Sequence, residues 1–131
     1  MAQLGLRVTS VVLAFGLSHA VAFAQTKDVE KSVTVTAGQA KQIGVFGRVT
    51  PECENGKVSV KLAKPAVNGT VVARPAKLKR GTVQKCQNLE PSVAAIFYQP
   101  KPGFVGSDTA VVEVSTDDGK TERHEYTITV E

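Results

Sequence analysis

The side chains of this chain that could do chemistry are mostly cations, and they collect in one stretch. Residues 55–89 contain eight Lys or Arg and no acidic residue, whereas residues 108–131 contain seven acidic residues and two basic ones. Uncompensated cations attract anions. The densest part therefore predicts a binding loop for an acidic glycan, lipid head groups or an acidic protein. Its candidate residues are Arg74, Lys77, Lys79, Arg80 and Lys85.

The same cations also allow a purely structural interpretation. Lysines along the edge of a β-sheet discourage the addition of further strands, and a solvated basic face needs no ligand. Nucleic acid is the least favoured anion, because the stretch has no interleaved aromatic side chains on which bases could stack. Anion binding and edge protection both stay open from the sequence.

Side chains for acid–base or nucleophilic catalysis are sparse. His124 lies in an alternating segment in phase with Glu122, and we expect it to be an exposed strand residue. His124 is the only histidine after residue 24, so Ser107 and Asp108 have no second one with which to complete a Ser–His–Asp arrangement. The sequence therefore predicts no enzymatic activity.

Aspartate oxygens are the remaining candidate ligands for a metal. Asp108, Asp117 and Asp118 could in principle bind Ca²⁺, but Asp117-Asp118-Gly119 is typical of an ordinary hairpin turn. The expectation is no metal and no other cofactor.

The N-terminal residues have the pattern of an export signal. One positive charge at Arg7 precedes an apolar run at 8–17, and Ala22-Phe23-Ala24 supplies the small residues of a cleavage site. We predict a signal peptide at 1–24, a short linker at 25–31 and one domain at 32–131, in the periplasm or at the cell surface. An uncleaved anchor is the less favoured alternative; after cleavage no apolar run is long enough to span a membrane.

Export places the two cysteines, Cys53 and Cys86, in an oxidising compartment. An intramolecular disulfide is the natural interpretation there, because the pair shows no metal-binding or redox spacing. The separation along the chain is short for the inter-sheet disulfide of antibody domains, so we expect Cys53–Cys86 to join two loops or edge segments.

Composition and periodicity favour strands. The 131 residues include 21 Val and 12 Thr, whose branched side chains suit a pleated sheet. Short alternating segments separated by turn signals predict an all-β antiparallel sandwich of about seven strands. Within it, Val58, Val60 and Leu62 should face inward, the glycines near residue 45 should mark a bulge, and Asn68-Gly69 should form a turn with positive φ.

Three segments together resemble the bacterial Ig-like (cadherin-like) domain family. They are Asn68-Gly69-Thr70-Val71, the run from Phe97 to Asp108, and the hairpin Asp117-Asp118-Gly119. The resemblance covers about residues 32–131 and implies an Ig-like sandwich, while such folds serve many functions. Members of that family often occur as tandem copies in large surface proteins, whereas the single copy here favours a free-standing secreted module.

The run from Tyr98 to Asp108 is expected to be a structural corner. Prolines lack an amide donor and end strand pairing, and glycines allow sharp reversals. Phe104 should plug the open end of the sandwich, and Asp108 should accept hydrogen bonds from loop amides. The corner residues are Tyr98, Pro100, Gly103, Phe104, Gly106 and Asp108.

The sequence thus predicts a non-catalytic exported module that contacts an anionic protein or glycan. The main alternative is a small secreted protease inhibitor that presents Lys79-Arg80 on the disulfide-held loop. A small secreted enzyme is less favoured still, because a sandwich of this size offers surface rather than a deep cavity.

Overall fold

Segments of alternating branched residues form seven strands, and no helix is present among the described residues. No helix in this part of the chain is therefore long and apolar enough to cross a membrane. The structure, a computed structural model, describes Ala20 and residues 26–131, so the predicted signal peptide lies, apart from Ala20, outside the described residues. The strands are β1 Thr26–Val35, β2 Lys41–Gly47, β3 Val58–Lys64, β4 Gly69–Lys77, β5 Ser92–Pro100, β6 Gly106–Thr116 and β7 Thr121–Val130.

The strands form two sheets that pack face to face. Sheet A has the order β1-β7-β6-β3, and sheet B has the order β2-β5-β4. In an immunoglobulin constant-type sandwich, strands C, F and G form one sheet, and B, E and D belong to the other. Strands β3, β6 and β7 match C, F and G, and β2, β5 and β4 match B, E and D. The predicted Ig-like sandwich of about seven strands is confirmed, with one parallel pair, β1–β7, among antiparallel neighbours.

The predicted linker at 25–31 is wrong for residues 26–31, which form the first part of β1. Thr26 pairs with Thr121, and the parallel register continues to Val35 opposite Val130. One face of β1 lies on the outer side of sheet A and is exposed, so alternate positions are polar. That exposed face gives the segment its linker-like composition.

The core lies between the central strands β5, β6 and β7. Its largest fully buried side chains include Tyr98, Ile96, Tyr126 and Ile128. On the edge strand β3, Val58 and Val60 pack against the core as predicted, but Leu62 is 41% exposed. Leu62 keeps the predicted phase, since it pairs with the buried Val112, and the register with β6 shifts only after it, between Leu62 and Lys64.

Close approach of other side chains, rather than positive φ, explains Gly44 and Gly69. A Cβ at Gly44 would collide with the hydroxyl of Tyr126. The predicted bulge is present, since the β2–β5 register shifts between Gln42 and Gly44. Positive φ at Asn68-Gly69 is wrong, because neither residue adopts it. Instead, a Cβ at Gly69 would collide with the ring of Tyr98. Glycine is needed there for space and not for an unusual backbone angle.

The loops fall into two groups at opposite ends of the sandwich. We call the end formed by loops 36–40, 65–68 and 101–105 the Asp108 end, and the end formed by loops 48–57, 78–91 and 117–120 the disulfide end. Each end is closed by its own set of contacts. The predicted anion-binding residues lie on β4 and in loop 78–91, towards the disulfide end.

Candidate functional site

The five predicted anion-binding residues form a surface along β4 and the loop that follows it, which we call the basic surface. Arg74 and Lys77 belong to β4, an edge strand of sheet B, so the expected single loop holds only part of the set. Lys79, Arg80 and Lys85 lie in loop 78–91. All five are exposed.

Little within the described residues neutralises the basic surface. Arg80 Nε lies 3.6 Å from Glu90 Oε1, and both side chains are largely exposed. Arg74, Lys77, Lys79 and Lys85 take part in no ion pair in the described part of the chain. Four cations are therefore free to meet an anion from solution.

A disulfide fixes the loop that carries three of the five cations of the basic surface. Cys53 and Cys86 are bonded, with their Cα atoms 5.4 Å apart, and they join loop 48–57 to loop 78–91. The predicted disulfide is confirmed and joins two loops, as expected. Asn55 strengthens the junction: its Oδ1 accepts a hydrogen bond from the Ser92 amide at 2.8 Å, and its Nδ2 donates to the Glu90 carbonyl at 3.2 Å. Loop fixation lowers the entropic cost of binding a partner.

Arg48 ties the third loop of this end and was missed from the sequence. Its Nη1 lies 2.8 Å from Asp117 Oδ1, and its Nε lies 3.4 Å from Asp118 Oδ2. The Lys57 amide also donates to Asp117. A hydrogen bond from the Thr116 hydroxyl, followed by smaller contributions that include Arg48, holds the pKa of Asp118 below its usual value. The hairpin carboxylates are thus engaged by Arg48.

The Asp108 end is closed by a buried carboxylate. Asp108 is 4% exposed and accepts four hydrogen bonds. The Tyr98 hydroxyl and the Asn68 amide donate to Oδ2, both at 2.9 Å. The Val67 and Thr109 amides donate to Oδ1 at 3.1 and 2.9 Å. These contacts join loop 65–68 to strands β5 and β6.

Hydrogen bonding keeps Asp108 ionised in spite of its burial. Burial raises the pKa of Asp108. The hydrogen bonds from Tyr98 and the three amides lower it by more than burial raises it, so the pKa lies below its ordinary value of 3.8. Burial, and then the bond to Asp108 and its charge, raise the pKa of Tyr98. A carboxylate with four protein donors is a structural tie.

The other corner residues shape the same end. Pro100 is buried, and Gly103 and Gly106 have φ values of +79° and +138°. Phe104 packs against the core from loop 101–105 but is only partly buried, so it covers the end of the sandwich rather than plugging it.

The prediction of an exposed His124 is wrong, because this side chain is 4% exposed. Along β7 it shares its inward phase with Tyr126, Ile128 and Val130, a signal that was present in the alternation. Its ring lies 4.6 Å from that of Phe46, and Nε2 lies 2.9 Å from Glu122 Oε2. It packs as a core residue beside one carboxylate.

The three aspartates considered for Ca²⁺ are not brought together, since Asp108 lies at one end and Asp117 and Asp118 at the other. In the part of the chain that the structure describes, no group of three or more His, Cys, Asp or Glu side chains could hold a metal ion. The basic surface is therefore the candidate functional site.

No protein-family model matches the chain, and no curated protein or solved structure matches it.

Proposed function

We propose that this protein is a non-catalytic, exported Ig-like module, similar to the bacterial cadherin-like domains, that binds an anionic macromolecule through the basic surface. The observation that carries the proposal is the set of four exposed cations without an ion pair, on an edge strand and a loop fixed by a disulfide. Attraction of this kind is long-ranged at low salt and is screened within about 10 Å at 0.1 M salt.

The protease-inhibitor alternative is less well supported by the backbone at Lys79-Arg80. The Lys79 carbonyl accepts hydrogen bonds from the Thr82 amide at 3.2 Å and the Thr82 hydroxyl at 2.6 Å. Gly81 has a φ of +84°. These contacts bend the segment into a tight turn, whereas a protease cleft takes up an extended segment. Incubation with trypsin separates the two functions, since an inhibitor blocks the protease and a plain basic loop does not.

Salt-dependent binding to an immobilised acidic polysaccharide tests the proposal. We expect binding to fall steeply between about 50 mM and about 200 mM salt. Combined substitution of Arg74, Lys77, Lys79 and Arg80 by serine should reduce the affinity by more than about tenfold, because four of the five cations of the basic surface, three of them without an ion pair among the described residues, are removed.

The matched control removes the same number of charges elsewhere. Its four serine substitutions fall on exposed lysines without an ion pair among the described residues, and it should retain most of the affinity. They are Lys27, Lys61, Lys64 and Lys101. Equal loss in both variants would mean that only net charge matters, and binding indifferent to salt would exclude an electrostatic contact; either result contradicts the proposal.

A further inference from the structure

A pocket on the outer face of sheet B adjoins the basic surface and is lined mostly by alternate residues of two paired strands. The pocket has a volume of about 470 Å³. Thr70 pairs with Gln99 and Val72 pairs with Phe97, while Arg74 lies opposite the small residue Ala95. Its lining is Ala40, Thr70, Val72, Arg74, Phe97 and Gln99.

The floor of this pocket is apolar and includes an aromatic ring. Phe97 is partly exposed and lies outside the core cluster, although its neighbours Ile96 and Tyr98 belong to it. Val72 is 38% exposed beside Phe97. An accessible aromatic face next to an aliphatic side chain suits a ring with C–H groups on one face.

The rim of the pocket is polar and carries one cation. Arg74 has no ion-pair partner in the described part of the chain, and a guanidinium binds a carboxylate with two parallel hydrogen bonds. Gln99 Nε2 donates to the Gly38 carbonyl at 3.3 Å and the Pro100 carbonyl at 3.2 Å. This orientation leaves the Gln99 amide oxygen to accept from a ligand, beside the Thr70 hydroxyl.

We propose that the pocket is a subsite for one hexuronate residue of an acidic glycan. The sugar ring lies on Phe97 and Val72, its hydroxyls bond to Thr70 and Gln99, and its carboxylate pairs with Arg74. This inference rests on the proposed function and names the class of its partner.

An acidic peptide fits this position less well. Extended peptides bind by adding a strand to a free sheet edge, but the pocket lies on a sheet face where β4 and β5 pair with each other from Gly69 to Lys77. The free edge of β4 contains Pro75, which lacks an amide donor, together with Arg74 and Lys77. Contacts on the face must therefore come from side chains, as in sugar recognition.

Calorimetric titration with a short oligogalacturonate tests the inference, with its methyl ester and a short polyglutamate as comparison ligands. For the unmodified protein, esterification should weaken binding by more than about tenfold, because the carboxylate that pairs with Arg74 is lost. Polyglutamate should bind more weakly than the oligogalacturonate, since it has no ring to lie on Phe97.

Phe97→Leu keeps an apolar side chain and removes the aromatic face. It should weaken oligogalacturonate binding by about tenfold and leave polyglutamate binding unchanged. Val45→Ala, an exposed position in the same sheet outside the pocket lining, is the control and should change neither.

The outcomes separate this inference from the proposed function. If Phe97→Leu binds the oligogalacturonate normally while the fourfold serine variant does not, the subsite is wrong and the basic surface stands. If the fourfold variant also binds normally, the proposed function fails. Polyglutamate binding that is as tight as that of the sugar and equally weakened by Phe97→Leu would identify a peptide site and overturn the subsite.

Discussion

The two ends of the sandwich are closed by different chemistry. At the Asp108 end, a buried carboxylate gathers one hydroxyl and three amides. At the disulfide end, one covalent bond joins two loops, and a partly exposed arginine pairs with the third. The polar groups around Asp108 are all engaged in hydrogen bonds to it, whereas the disulfide engages only the two cysteines. The disulfide end can therefore hold its loops in place and still present free cations to a partner.

The largest expected effect comes from breaking the buried tie. Asp108→Ala leaves the Tyr98 hydroxyl and three amides without their acceptor, so we expect a loss of about 3–5 kcal/mol in the free energy of unfolding. Denaturant titration measures the loss. Asp117→Ala, at the more exposed carboxylate of the other end, should cost under about 1 kcal/mol. Similar losses in the two variants would remove the distinction between the ends.

Acid should act on the same end. Because the pKa of Asp108 is lower in the folded protein than its ordinary value of 3.8, its stabilising contribution is present above pH 3.8. That contribution is lost as pH falls through the folded pKa. Stability of the Asp108→Ala variant should lack this part of the pH dependence, and identical acid profiles for the two proteins would contradict the assignment.

Removal of the covalent tie is expected to cost slightly less. Cys53 and Cys86 are separated by 33 residues, for which the chain-entropy model gives about 3–4 kcal/mol. Replacement of both by serine should also weaken binding to an acidic polysaccharide, because loop 78–91 is no longer held. Denaturant titration and salt-dependent binding measure the two effects. Full affinity in the double serine variant would show that the tie serves stability alone.

A smaller effect than loss of Asp108 or of the disulfide distinguishes two buried tyrosines that face the same core. Tyr98 donates to Asp108, whereas the Tyr126 hydroxyl has no hydrogen-bond partner among the described residues. Burial alone raises the pKa of Tyr126 to about 12. Tyr98→Phe should cost about 1.5–3 kcal/mol, the range for a hydrogen bond to a charged group. Tyr126→Phe should be neutral or slightly stabilising, and equal losses would show that ring packing, not the tie, determines the result.

Local signals in the sequence were enough for the strands, the disulfide and the acceptor role of Asp108. Alternation marks a strand wherever one face is buried, and two cysteines leave a single intramolecular pairing. The first part of β1, residues 26–31, was predicted as a linker because its partner β7 lies about ninety-five residues away in sequence, and a largely exposed strand has the composition of a linker.

Contacts between loops that are distant in sequence could not be predicted, for a different reason. Arg48 and Asp117 are 69 residues apart, and nothing local to either residue marks the pairing. The pocket at Arg74 and Phe97 depends on the β4–β5 register, which becomes visible only when the strands are aligned. The burial of His124 could have been predicted, because His124 and Tyr126 share one phase of the alternation in β7. Its charged neighbours Arg123 and Glu125 led instead to the prediction of an exposed residue.

Nuclear magnetic resonance titration of the disulfide-bonded protein with a short oligogalacturonate tests the central claim most directly. Amide signals of residues 70–85 and of Phe97 should shift progressively with ligand, and the shifts should disappear when salt is raised to about 200 mM. Signals of β3, on the opposite sheet, should stay in place although it carries Lys61 and Lys64. Shifts spread evenly over all exposed lysines, or confined to β3, would contradict an anion-binding surface on β4 and its loop.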